Sequence, residues 1–165
     1  MIVRIRRPHT GARFIHPLHP EPRTAILAGG FQETKDVRVF PRGWNESAER
    51  FQPASIAGPP GELRKLARRA VSLENSLIVF SYEGQSGLSH SDREMFWKAF
   101  GVPVFEQYLG PRNELLAMEC DAHSGLHVVA RCEDLHLERD VCPCGSHAPR
   151  LSRAAHIDEL AEMLA

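Results

Sequence analysis

The chain has 165 residues, 42% of them hydrophobic, with 20 basic against 21 acidic side chains and a formal net charge of −1. That length supports one core and hardly a second, and the balanced charge gives no global attraction to nucleic acid or anionic membrane. No apolar run approaches the roughly 18 residues of a membrane span, and Met1-Ile2-Val3-Arg4-Ile5-Arg6-Arg7 lacks the ~7–15-residue apolar stretch of a signal peptide, so a cytoplasmic protein is expected.

Residues 1–57 form a proline-rich segment of short strands and turns. Pro8, Pro17, Pro20, Pro22, Pro41 and Pro53 rule out a long helix there, because proline removes a backbone donor and clashes with the preceding turn. Ala25-Ile26-Leu27-Ala28 and Val37-Arg38-Val39-Phe40 are its strand candidates. Arg4, Arg6, Arg7, Arg13 and Arg23 face the single acid Glu21 over residues 1–24 and read as a solvated basic tail.

The pattern sharpens over residues 58–151, taken as the main α/β domain. Leu63, Leu66, Ala67, Ala70 and Val71 recur at helical spacing, opposite Arg64, Lys65, Arg68 and Arg69. Leu77-Ile78-Val79-Phe80-Ser81-Tyr82 is a continuous apolar run, as expected of a strand covered on both faces. Ser91 with Glu94 predicts a capping box that starts a helix through Phe96, Trp97 and Phe100, and Gly101 supplies the stop. His90, beside that cap, reads as a surface residue, and Trp44 and Trp97 as core or pocket walls. Val102–Tyr108 returns as a strand, which makes a βαβ unit with two parallel strands and a right-handed crossover.

After Gly110 the spacing predicts two short antiparallel strands, Glu114–Cys120 and Gly125–Arg131, and a final helix from Ile157 to Leu164 within the tail 152–165. The expected fold class is α/β: a βαβ unit with parallel strands plus a small antiparallel zinc-bound hairpin region.

All four cysteines fall between residues 120 and 144, at Cys120, Cys132, Cys142 and Cys144, with His123, His127 and His136 among them. Thiolate and imidazole are the donors Zn²⁺ prefers, four in a tetrahedron when the site is structural, and in a reducing compartment clustered cysteines serve metals more often than disulfides. Cys142-Pro143-Cys144-Gly145 places two sulfurs at a turn. Cys120 and His127 bracket a second bend at Gly125, with His123 as the rival imidazole. Cys132 reads as a buried thiol, and His136 and His147 as surface or supporting residues.

Gly58-Pro59-Pro60-Gly61-Glu62-Leu63, the Leu77–Tyr82 strand, Glu83-Gly84-Gln85, Ala99–Phe105 and Tyr108 resemble the second half of the large domain of phenylacetate-CoA ligases, in the adenylate-forming superfamily. Glu119-Cys120, Gly125-Leu126-His127 and Cys142-Pro143-Cys144-Gly145 with His147 and Arg150 are similar to that family's zinc-cluster series. The resemblance implies zinc ligands at Cys120, His127, Cys142 and Cys144. It also implies an α/β fold and an ancestry in AMP-forming acyl-CoA ligation, over residues 58–151.

Several ligase parts are missing or altered. The Ser/Thr/Gly-rich phosphate loop is absent, and Gly84-Gln85-Ser86-Gly87 is a plain loop by comparison. The Tyr-Gly-x-Thr/Ser-Glu motif reads Tyr108-Leu109-Gly110-Pro111-Arg112, and a guanidinium cannot coordinate Mg²⁺. The ribose-binding segment and the mobile lysine domain have no counterpart. A zinc-binding, non-catalytic relative acting as a binding or partner subunit is therefore expected, with another protein or a second copy as partner and nucleic acid unlikely on charge grounds. Two enzymatic readings stand beside it. One is a half-ligase completed by a second chain, with ATP or acyl-CoA binding left open. The other is a zinc hydrolase built from Cys120, His123 and His127 with Glu119 or Glu133 as base.

Overall fold

The computed structural model describes residues 11–82, 85, 87–129 and 137–151. Cys132, Glu133, His136 and the predicted Ile157–Leu164 helix lie outside them. The described residues form a mixed α/β fold around an eight-stranded sheet of order β2-β1-β3-β4-β5-β6-β7-β8. The strands are β1 (Thr24–Ile26), β2 (Val37–Val39), β3 (Ser55–Gly58), β4 (Ser76–Tyr82), β5 (Val104–Leu109), β6 (Leu115–Glu119), β7 (Leu126–Val128) and β8 (Arg150–Leu151). β1 to β5 pair in parallel, and β5 to β8 pair antiparallel. The expected βαβ unit is β4, helix α3 (His90–Phe100) and β5, and the hairpin is β6–β7.

Strand alternation divides the core. Leu77 and Val79 point to one face, where they pack with Leu63 and Leu66 of helix α2 (Pro60–Ala67) and Phe96 and Phe100 of α3. Ile78 and Phe80 point to the other face, against Phe14 and Phe31. Phe31 stacks on Phe80 with ring centroids 5.2 Å apart. Both faces of β4 are thus covered, the physical reason its sequence lacks polar alternation.

β3 crosses residues 57 and 58, so the segment before residue 58 supplies strands to the same sheet as the rest. A short helix, α1 (Glu46–Phe51), starts where the Asn45 side chain accepts the Ser47 and Ala48 amides.

Three predicted details differ. The α3 cap is Ser89, whose Oγ accepts the Asp92 amide at 3.0 Å and donates to the Asp92 carboxylate; Ser91 is already helical. Both serines have an acid three residues on, and only Ser89 has the extended backbone a cap requires. Helix α2 ends at Ala67 rather than Val71. Arg68 and Arg69 donate to carbonyls only three residues back, tightening the last turn. β3 and α1 went unpredicted because each is too short to show a period.

Candidate metal centre

Two turns of the same construction carry three of the four candidate donors. In Cys120–His123 the His123 amide donates to the Cys120 carbonyl at 3.0 Å, and in Cys142–Gly145 the Gly145 amide donates to the Cys142 carbonyl at 2.7 Å. The amide two residues after each leading cysteine, that of Ala122 or Cys144, is turned toward its sulfur. The fourth residue of each turn has a left-handed backbone, with φ of 48° at His123 and 87° at Gly145. Glycine takes that conformation at no steric cost; histidine does not.

The turns and strand β7 bring together Cys120, His127, Cys142 and Cys144, whose donor atoms all lie within 4.8 Å of one another, close enough to hold a metal ion. Cys120 Sγ is 3.6 Å from Cys142 Sγ, and Cys144 Sγ is 3.6 Å from His127 Nε2. A disulfide would need about 2.05 Å. A tetrahedral metal with bonds of about 2.3 Å to sulfur and about 2.05 Å to nitrogen sets S···S near ~3.8 Å and S···N near ~3.6 Å. These two separations are close to that geometry, and the remaining ones stay within 4.8 Å.

Electrostatics favour a cation as well. Burial first, then the neighbouring thiols of Cys144 and Cys142, push the Cys120 thiol up to about 12 against the partial help of the Ala122 amide. Burial also acts to raise Cys142, but the Cys144 amide, the adjacent thiols and Arg150 outweigh it and bring its pKa below the usual 9.0. Burial holds His127 below its usual value, hence neutral and ready to donate a lone pair. Three thiols so close cannot all ionise without a positive partner, which a bound metal supplies as it displaces their protons.

His123, the rival imidazole, is turned elsewhere. Its ring stacks on Phe105 at a centroid distance of 4.7 Å, and its Nδ1 lies 3.6 Å from Glu119 Oε2. His147 is exposed. Glu119, the candidate general base, is buried and bound by Arg93 at 2.8 and 3.0 Å, and it accepts the Glu106 amide at 2.9 Å. Burial alone would raise its pKa, yet His123, Arg93 and the Glu106 amide hold it below the usual value. It is a carboxylate locked in an ion pair.

Sequence reading did not single out Arg93, and it named Arg150 beside the Cys-Pro-Cys-Gly turn without a role. Arg93 of α3 anchors Glu119 across the parallel–antiparallel boundary. Buried Arg150 donates to the Ser124 carbonyl at 2.5 Å and hydroxyl at 2.7 Å, fastening β8 to the first turn. Arg93 precedes Phe96, Trp97 and Phe100 by three, four and seven residues, so helical phase puts it in line with the apolar stripe, and a cation at such a position is the one local signal that marks it.

Position in the sheet bears on function. The order β2-β1-β3-β4-β5 reverses between β1 and β3, and open α/β sheets bind ligands outside the carboxyl ends of their strands near that reversal. The four-donor cluster is elsewhere. Gln107 pairs with Met118, so Cys120, two residues on, follows β6 at the level of the amino-terminal half of β5.

At the carboxyl end of β5, Gly110–Asn113 make a tight turn. The Glu114 carboxylate accepts the Arg112 amide at 2.8 Å, and the Asn113 amide donates to the Gly110 carbonyl at 2.9 Å.

No protein-family model and no curated protein matches the chain. Among solved structures it is similar to an open conformation of a 2-hydroxyisobutyryl-CoA ligase in complex with 2-HIB-AMP and CoA, at 14% identity and a TM-score of 0.52. The chain has the fold of part of an acyl-CoA ligase. The match covers 72% of this chain and 38% of the ligase, so the chain spans well under half of that enzyme's length. Among the described residues no helix is long and apolar enough to cross a membrane.

Proposed function

We propose that this chain is a zinc-stapled, non-catalytic relative of acyl-CoA ligases, with Cys120, His127, Cys142 and Cys144 holding one structural Zn²⁺, and that it serves as a binding or partner subunit. The observation that carries this reading is the four-donor cluster at the end of the sheet away from the strands' carboxyl ends. Four protein donors leave no open position for a water, and a sulfur-rich set suits zinc as a structural ion. The hydrolase reading loses support because Glu119 is paired with Arg93 and His123 is packed on Phe105.

The ligase chemistry lacks its acid. Where the resemblance expects a metal-holding carboxylate stands exposed Arg112, and Glu114 closes the turn instead. One observation keeps a half-ligase completed by a second chain as the second reading: glycines follow or end both strands where the order reverses, at Gly29-Gly30 after β1 and Gly58 in β3. Pairing through the β2 edge is the weaker route to a partner. Its outward amides at Val37 and Val39 are already taken by Thr34 Oγ1 and Glu33 Oε1.

Elemental analysis of purified protein is the test, joined to calorimetric titration with ATP and CoA. One zinc per chain, loss of structure in a strong chelator and no heat with either nucleotide support the proposal. A metal-free folded chain overturns the staple, and saturable ATP binding with acyl-adenylate formation on adding a partner establishes the half-ligase instead.

A further inference from the structure

The segment before β1 crosses the sheet as a flap, on the face opposite α2 and α3. Its Phe14 lies against Phe31 and Phe80, with ring centroids 6.4 and 6.2 Å away. Both ends of the flap are fixed by backbone bonds. Ala12 donates to the Gly30 carbonyl and accepts the Gln32 amide, and the Arg23 carbonyl accepts the Ala54 and Ser55 amides. Between these anchors two polar side chains hold the flap down. Gln107 Nε2 of β5 donates to the Ile15 carbonyl at 2.7 Å, and His16, 1% exposed, reaches the amino ends of β3 and β4.

Three links join His16 to Asn75. His16 Nε2 is 3.4 Å from Ser55 Oγ and 3.3 Å from Ser76 Oγ, the two hydroxyl oxygens are 2.8 Å apart, and Asn75 Oδ1 accepts from them at 3.1 and 2.9 Å. Two hydroxyls supply only two hydrogens. A chain from His16 to one serine, on to the other and then to Asn75 needs its third hydrogen from Nε2. With that hydrogen on Nε2, Nδ1 keeps its lone pair and accepts the Leu18 amide at 3.0 Å. Neutral His16 is thus bonded at both nitrogens, and its imidazole has no free lone pair with which to act as a base on either serine.

Acid disturbs this arrangement at one atom. A second proton goes to Nδ1, which then sets N–H against the Leu18 N–H and must turn to the Leu18 carbonyl, 3.1 Å away. The charge also sits in a buried place. Burial is the largest influence and His19 adds to it, while the Leu18 carbonyl and Glu21 oppose them without prevailing, so His16 lies below its ordinary 6.5. His19 and Glu21 belong to the flap itself. The sheet side faces the ring with uncharged Ser55, Asn75 and Ser76.

We propose that His16 is an acid-sensitive latch, whose protonation frees residues 13–19 from the sheet and uncovers Phe31 and Phe80 while the anchors at Ala12 and Arg23 stay in place. The neutral ring belongs to the closed flap. Closure is therefore full above 6.5 and weakens as pH falls below it, by up to about tenfold per pH unit until the lower closed-state value is passed.

The test follows the full chain by amide exchange and by nuclear Overhauser contacts between the Phe14 and Phe80 rings. From about pH 6.5 to about 5, Leu18 protection corrected for intrinsic exchange is expected to fall about tenfold and the ring contacts to fade, with β4 amides unchanged. His16→Gln is expected to remove the pH dependence of the ring contacts, whatever their strength, and His19→Gln to leave it in place. Imidazole nitrogen shifts of the neutral protein are expected to put the hydrogen of His16 on Nε2. Protection that stays constant over that range, a pH dependence that survives His16→Gln, or a hydrogen on Nδ1 overturns the latch. So does an equal loss of protection in β4, which marks acid unfolding of the whole sheet.

Discussion

The parallel strands β1 to β5 and the antiparallel strands β6 to β8 belong to one sheet but are held by different chemistry. Around β4 both faces are apolar and fully buried, with Leu77, Ile78, Val79 and Phe80 at 0% exposure. The antiparallel end has a smaller apolar cluster of Tyr108, Leu116, Ala117, Leu126, Val128 and Leu151, and beside it three cysteines, a histidine and buried Arg150. Burial is non-directional and scales with area, so the parallel half tolerates short loops and irregular caps. Metal ligation is directional. A metal held by the four-donor cluster would let an end with strands of two and three residues keep one arrangement.

Removing a donor is the strongest way to break that contrast. Cys142→Ser is expected to lose the zinc and to destabilise the antiparallel end by on the order of 5 kcal/mol, since metal binding free energy is largely folding free energy here. Hydrogen exchange would show β6–β8 opening while β4 stays protected. Equal loss across the sheet would mean that the two ends do not differ. The converse variant is Phe80→Ala, which removes a ring packed on Phe14 and Phe31. Denaturant unfolding should show a loss of about 3–5 kcal/mol, with zinc content unchanged by elemental analysis.

The joint between the halves is the Arg93–Glu119 pair, buried on the acid side. Glu119→Ala takes the counter-charge from the guanidinium, which keeps its bond to the Val104 carbonyl, and is expected to cost about 3 kcal/mol. The pH dependence has a definite sign. The folded carboxyl lies below its usual 4.5, so its contribution is full above that value and is lost as pH falls through the lower folded value. Acid unfolding curves of the parent should steepen below pH 4.5, and those of Glu119→Gln should lack that component.

The smallest effect is expected at His123. Glycine there relieves the left-handed backbone and gives up the ring stacked on Phe105, two opposing terms of about 1 kcal/mol each. His123→Gly should bind one zinc and melt within a few degrees of the parent, whereas His127→Ala should not retain the metal. Equal metal loss in both variants would remove the distinction between the two histidines.

Long or strongly patterned elements were legible in the sequence. The β4 run needs no polar side because both its faces are covered, and Gly101 ends α3 with φ of 66°. The Cys142–Gly145 turn was legible for the same local reason, since proline and glycine limit its backbone. Short elements were legible only where apolar residues cluster, as in β1 and β2; β3 and β8 carry too few residues to show a period and are held by pairing with neighbouring strands. The cap of α3 was misread because Ser89 and Ser91 both have acids at the right spacing.

By itself the sequence determined that this protein is an α/β chain with one sulfur-rich cluster, because composition, period and residue spacing are properties of the local chain. Tertiary structure alone decided which donors meet. His123 and His127 are four residues apart and chemically equivalent, but one takes the left-handed corner of a turn and packs on Phe105, while the other faces Cys144 from a strand. That choice depends on the direction of two backbones and on sulfurs contributed from residues 142 and 144, so spacing left both imidazoles open and only the Gly125-Leu126-His127 resemblance favoured His127.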